Sequence, residues 1–207
     1  MMTKAKGPVW HKKQKSQGII PKGLTGIDKE ARWGKSRYDG WIYGHGTFCF
    51  TSYEIPILGI FQWMSNSGHE AKRMEIEITK YENIVKKIFM DSKADDQNLY
   101  RSLKKNYRIQ LVTSPRKHRN RSESRKKYIK DMLTKQNLKD YKKRSTTVEP
   151  MQGLVSEIFD LERCWMRRDE NNRWLFASMG IAIQMAQWNA YKQKRSTWKI
   201  KSDVLGL

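Results

Sequence analysis

Apolar residues are spaced for strands in the first part of the chain and for helices in the last. Trp41-Ile42-Tyr43-Gly44 runs into Thr47-Phe48-Cys49-Phe50, an aromatic, β-favouring stretch preceded by the turn signal Asp39-Gly40. Residues 57–64 (ILGIFQWM) predict a second strand. With the Pro56 region as the connection, these two are expected to lie side by side and antiparallel. Met74, Ile78 and Tyr81 then recur at helical spacing from His69 to about Tyr81, with Ser67 able to cap the start. Ile84-Val85 and Ile88-Phe89-Met90 lead as a short buried strand into Asp91. Leu99, Tyr100 and Leu103 mark a helix over 96–106, and residues 108–113 read as a strand stopped by Ser114-Pro115. The order strand, strand, helix, strand, helix, strand predicts an α/β fold with a mixed sheet flanked by helices.

Two stretches lack periodicity. Residues 1–40, rich in Gly, Lys and Pro, are expected to form an irregular basic arm with one short strand. Residues 116–144 are polar and basic, with eight bases and one acid, Glu123, between Arg116 and Lys130. Such a run is either a solvated insertion or a direct phosphate contact, and Arg116, Lys117, Arg119 and Arg121 head the second reading. Two helices close the chain. One is expected from Val148 to about Glu162, with a core stripe of Val148, Met151, Val155, Ile158 and Phe159. The other is expected from about Asn172 to Tyr191, through Leu175, Met179, Ala182, Ile183, Ala186 and Ala190.

Charge narrows the choice of partner. The 207 residues hold 42 Lys+Arg against 21 Asp+Glu, a formal net charge of +21. Apolar residues still make up 38%, with eight Trp, so one domain with a real core is expected. An excess of this size points to a polyanion, and nucleic acid fits it better than an anionic membrane surface. No run approaches the roughly 20 apolar residues of a membrane span. The amino terminus lacks the apolar core of a secretory signal, and Cys49 and Cys164 are too far apart for a metal motif or a disulfide framework, so a reducing cytoplasm is expected.

Common catalytic motifs are missing. The sequence has no phosphate-cradling glycine loop, nucleophile elbow or paired-cysteine zinc site, and His11, His45, His69 and His118 stand far apart. Acids are scarce, so their positions carry information. Asp91 closes a hydrophobic strand, where α/β sheets commonly hold ligands, although it equally begins a turn or caps the next helix. Glu149 falls at an expected helix start, where an acid opposes the positive dipole end. Thr147 is the expected cap, because Pro150 then falls at the third helical position, where no donor is needed.

Several stretches together resemble bacterial insertion-sequence transposases with a DDE catalytic domain. They are Gly40-Trp41-Ile42-Tyr43-Gly44, Met90-Asp91 with Asp95-Asp96, residues 112–117 (VTSPRK), Tyr141 and Arg144 ahead of Val148-Glu149, and residues 171–177 (NNRWLFA). They follow the family's order over essentially the whole chain. The resemblance implies an RNase H-like fold in which two Asp and one Glu hold two Mg²⁺ or Mn²⁺ ions for DNA cleavage and strand transfer. Hard carboxylate oxygens suit such ions, and a pair about 3.5–4 Å apart steadies both the attacking and the leaving oxygen. On this resemblance Asp91 is the second acid and Glu149 the third, while Tyr141 and Arg144 bind DNA phosphate beside the scissile bond. The partners implied are transposon ends and target DNA, with a homodimer on the DNA.

The departures shape the expectation. The family's first Asp lies just before the stretch matching Lys4-Ala5-Lys6-Gly7, where this chain reads Met1-Met2-Thr3. Ser92-Lys93-Ala94 replaces Lys-Gly-Tyr, four residues rather than one fewer separate Arg144 from Glu149, and Ser156 stands where a Lys is expected. The chain is therefore expected to be a truncated copy, its first strand largely missing and its own activity lost. The competing readings are a non-catalytic basic DNA-binding remnant and a remnant that folds poorly.

If the basic run meets phosphates, DNA binding is expected to be sequence-independent, with a log–log salt slope of about −0.9 per neutralised phosphate. Replacing Arg116, Lys117, Arg119 and Arg121 by Ala should flatten that slope by a few units in a salt titration. An unchanged slope would mark the run as a solvated insertion.

Overall fold

The computed structural model describes residues 1–36, 39–65, 70–81, 83–116 and 122–206. In chain order the elements are β1 (Met2–Lys4), α1 (Lys12–Ser16), β2 (Arg32–Ser36), β3 (Gly40–Thr51), β4 (Leu58–Ser65), α2 (Glu70–Ile78), β5 (Lys87–Met90), α3 (Gln97–Tyr107), β6 (Gln110–Thr113), α4 (Glu123–Met132), α5 (Lys135–Lys142), α6 (Arg144–Phe159), α7 (Asp169–Lys192) and α8 (Lys201–Leu205). They form two compact units. One comprises Met1–Gly68 with Thr147–Leu207, and the other His69–Thr146.

The first unit is built on an antiparallel sheet. β3 pairs with β4 from His45 to Thr51, as the aromatic pattern predicts, and with β2 from Gly40 to Gly44. β1 takes the opposite edge, because Gly44 faces both Lys4 and Arg32. The three residues of β1 pair with β3, and Lys4 also exchanges backbone hydrogen bonds with the 162–164 segment, through Glu162 O and Cys164 N. Gly44 makes this possible, since a β-carbon there would lie 1.9 Å from Thr3 O and 2.9 Å from Ala5 N.

The basic arm is also more ordered than its composition implies. Ala5, Trp10, Ala31 and Tyr43 form a small core with Ile27 and Trp33 packed against it. Trp10 donates its indole proton to Ile19 O, and Trp33 donates to Trp10 O. The apolar area of three rings, Trp10, Trp33 and Tyr43, compensates for a lack of periodicity.

The larger core lies between β4, α6 and α7. Leu58 and Phe61 of β4 meet Met151, Val155 and Ile158 of α6 and Phe176, Met179, Ile183, Ala186 and Ala190 of α7. Gly180 lets α7 approach β4 closely, for a β-carbon there would be 3.0 Å from Phe61 Cβ. Gln187 is buried at this contact and satisfied on every side. Its Oε1 accepts from Leu58 N at 2.7 Å, and its Nε2 donates to Pro56 O and Thr197 O. Periodicity identified most of the aliphatic stripe but not Gly180 or Gln187.

The second unit holds a separate two-stranded parallel sheet, β5 with β6, joined through α3. Parallel and antiparallel pairings therefore fall in two sheets among the described residues, where the sequence predicted one mixed sheet. The strand expected from Ile84 is only Lys87–Met90, with Ile84 exposed in a turn. Arg108, expected in β6, instead closes α3 in the left-handed conformation at φ 55°. The Ser67 cap lies outside the described residues. Residues 123–142, expected to be irregular, form α4 and α5, capped by Ser122 and Thr134. Tyr128 and Met132 of α4 are buried, and Tyr128 stacks edge-on with Tyr100 at 4.4 Å.

The start of α6 overturns the Thr147 cap. α6 begins at Arg144, one residue beyond α5, and Pro150 lies inside it. Ser145 and Thr146 hydroxyls donate back to the Lys142 and Lys143 carbonyls, so these residues prolong helical geometry rather than interrupt it. Glu149 consequently stands in the second turn, and the helix-dipole account of it loses its basis.

Two glycines give opposite expectations in denaturant unfolding. Gly44→Ala must displace β1 and should cost about 1–3 kcal/mol or more. Gly153→Ala, at an exposed position of α6 with no atom near its absent β-carbon, should stabilise by about 0.5–1 kcal/mol.

Candidate functional site

Asp91 directly follows β5 and is partly exposed. Its Oδ1 accepts from Lys93 N at 2.8 Å, capping a single 3₁₀ turn over Ser92–Ala94. The capping role read from sequence is therefore real. Asp96 caps α3 in the same way, accepting from Asn98 N and Leu99 N. Asp95, between them, is buried and fully engaged. Its Oδ2 accepts from Arg125 Nη2 and from Arg116 N, and its Oδ1 from Tyr128 OH. Burial, aided by the nearby Asp95 charge, pushes the Tyr128 hydroxyl up to about 12.

Arg116 is placed by this same turn. Its side chain is exposed but donates from Nε to Ser92 O at 2.6 Å, so it braces the Asp91 loop as well as facing solvent. Lys117, Arg119 and Arg121 lie outside the described residues. Tyr141 is the penultimate residue of α5 and Arg144 begins α6, and the turn between them sets the guanidinium 5.6 Å from the Tyr141 ring. Both are half-buried. Stacking of this kind holds an arginine fork in a fixed direction.

Glu149 is exposed on the second turn of α6 and belongs to the first unit, whereas Asp91, Tyr141 and Arg144 belong to the second. As hard oxygen donors the two acids have the right chemistry for Mg²⁺, but not the number. Among the described residues no three Asp, Glu, His or Cys side chains are grouped to hold a metal ion.

The first unit contains an ionisable cluster that the sequence did not signal. Asp28, from the glycine-rich segment before β2, is fully buried. It accepts from His45 Nε2 at 2.9 Å, from Arg168 N at 3.1 Å and from Glu30 N at 3.2 Å. Burial would raise its carboxyl, but the hydrogen bond from His45 and the two backbone donors hold it below the ordinary value. On the other side of the ring, Trp63 Nε1 donates to His45 Nδ1 at 3.1 Å. The indole only donates, so Nδ1 accepts and Nε2 carries the proton given to Asp28. Asp169 Oδ1, 3.2 Å from that same Nδ1, is then left without a hydrogen bond. Burial, with the charges of Glu30 and Asp28, raises the Asp169 carboxyl. Cys164 is buried beside this cluster, and burial with the Asp28 charge pushes its thiol up to about 12, which removes it as a nucleophile.

Comparisons of the chain with protein-family models, with curated proteins and with solved structures found no match. Among the described residues no helix is long and apolar enough to cross a membrane.

The two carboxyls should act in opposite directions on stability. Asp28 has a depressed folded value, so its contribution is present above the unfolded value of about 3.9 and is lost as pH falls below it. Asp28→Asn should therefore cost about 1–3 kcal/mol at neutral pH, shrinking toward pH 3. Asp169 is raised, so its ionised form opposes folding as pH climbs above about 4. Asp169→Asn should raise the melting temperature at pH 7 and change it little at pH 4. Parallel pH series of thermal melts on both variants check the signs.

Proposed function

We propose that the chain is a DDE-type transposase domain of RNase H-like kind that binds DNA, with Asp91 and Glu149 as two of its signature acids. The α5–α6 junction carries the reading. There the Tyr141 and Arg144 of the family signature stack on each other, five positions before Glu149. An arginine presented in this way offers a planar two-pronged donor to a DNA phosphate. Two further features support it. Asp91 stands at the carboxyl end of a strand in a parallel β5–α3–β6 unit, the usual place for ligand-facing acids. The net charge of +21 suits a phosphate backbone, and exposed Trp41, with Lys12 Nζ 3.9 Å from its ring centre, adds an aromatic contact beside a cation.

The substrate class is duplex DNA, as transposon end and as target, and such a partner is met in the cytoplasm. Mg²⁺ or Mn²⁺ belongs to the family's chemistry. With two acids of three, residues 1–207 should bind DNA without cutting it.

Fluorescence anisotropy on duplex DNA, with a supercoiled-plasmid nicking assay in Mg²⁺, tests this. Tight low-salt binding that is unchanged by EDTA and no nicking are expected. Arg144→Ala should reduce the salt slope by about 1. Asp91→Asn, which keeps the cap, and Glu149→Gln should bind as tightly or more so, because each removes a negative charge near the phosphates. Nicking by the unaltered chain, or no effect of Arg144→Ala, would overturn the assignment of these residues.

A further inference from the structure

α7 is a 24-residue helix, about 36 Å long, and it is apolar on two sides. One side packs on β4 through Phe176, Met179, Gly180, Ile183 and Ala186. The other faces solvent with Trp174 at 72% exposure, Ile181 at 55%, Met185 at 68% and Trp188 at 53%. Trp174, Ile181 and Trp188 recur every seventh residue, so with Met185 they form one stripe along the helix. A face of this kind on a monomer marks an interaction surface.

Charge decides what covers it. Residues 174–191 contain no Asp, Glu, Lys or Arg, in a chain in which 30% of residues are charged. A phosphate backbone would find no cation on the stripe, so DNA is a poor occupant. The flanks, by contrast, are self-complementary. Asp169 and Glu170 lie in the first turn and Lys192 in the last, where its Nζ sits 5.3 Å from the Trp188 ring. An antiparallel pair of α7 helices, with a two-fold axis near Ile181, sets Trp174 of each copy beside the Met185–Trp188 segment of the other. It also brings Glu170 of each copy within about a turn of Lys192 of the other, and it opposes the two helix dipoles.

We propose that the outer face of α7 is a homodimer interface, in which a second copy of this chain packs antiparallel on the Trp174–Ile181–Met185–Trp188 stripe without DNA. One helix pair makes a small interface, so the dimer dissociates in the micromolar range.

Sedimentation of the full chain from about 1 to 100 μM, at about 0.3 M salt to shorten the reach of net repulsion, reads the equilibrium directly. A concentration-dependent dimer is expected. Ile181→Glu should be monomeric throughout with an unchanged melt, because the side chain is exposed. Glu170→Lys and Lys192→Glu should each weaken the dimer about three- to tenfold, and the double variant should restore it. Ile181→Cys, next to the axis, should cross-link through itself on mild oxidation, whereas Trp174→Cys should not. A wild-type chain that stays monomeric to the highest concentration overturns the proposal. So does a dimer that survives Ile181→Glu, or a charge-reversed pair that fails to recover. Binding of vesicles or of DNA lost specifically in Ile181→Glu, with no self-association, assigns the face to another occupant and equally overturns it.

Discussion

One buried carboxylate holds the first unit in register. Asp28 comes from an irregular, glycine-rich segment, yet it accepts from the ring of His45 on β3 and from the backbone of Arg168 at the head of α7. Arg168 itself sits at φ 73°, a conformation that side chains rarely adopt, and supplies no capping side chain. Asp28 and Glu30, more than a hundred residues upstream, provide the acceptors that this helix start lacks. Without them the first donors of a long helix would be left unpaired beside a charge cluster. The placement of α7, and with it the main core against β4, follows from this contact.

The second unit uses an acid in the same way. Asp95 joins the end of β5, the start of the segment after β6 and the first turns of α4, through Arg116 N, Arg125 and Tyr128. The Arg125–Asp95 pair is almost wholly removed from solvent. Breaking either partner of such a pair leaves an uncompensated buried charge, which is among the costliest changes a core can suffer. In a chain with twice as many bases as acids, two of the scarce carboxylates are thus committed to architecture.

The signature residues gain or lose meaning through these neighbours. Asp91 is held by its own cap and by Arg116 bracing the Ser92 carbonyl, so its carboxylate is oriented before any ligand arrives. Tyr141 and Arg144 are oriented by each other across the α5–α6 turn, and Ser145 and Thr146 just after it bond back to the Lys142 and Lys143 carbonyls. Both arrangements use short-range contacts, which a basic and otherwise solvated segment can form without a large core of its own.

Periodicity alone determined the strands over Trp41–Phe50 and Ile57–Met64 and their antiparallel pairing. It also determined the helices around Leu99–Leu103 and through Met151–Ile158 and Met179–Ala190, because each buries one face with a regular repeat. Position alone determined that Asp91 ends a strand and begins a turn. The tertiary structure decided what has no local repeat. It made a folded subcore of residues 1–40 from tryptophan and tyrosine contacts across the chain, and it gave β1 its place through the missing side chain of Gly44. It ran α6 through Pro150, and it assembled Asp28, His45, Trp63 and Asp169 from four separate segments. A single buried acid leaves no pattern in sequence, since its partners lie up to 140 residues away. Only the folded chain could show which carboxylates hold the structure together.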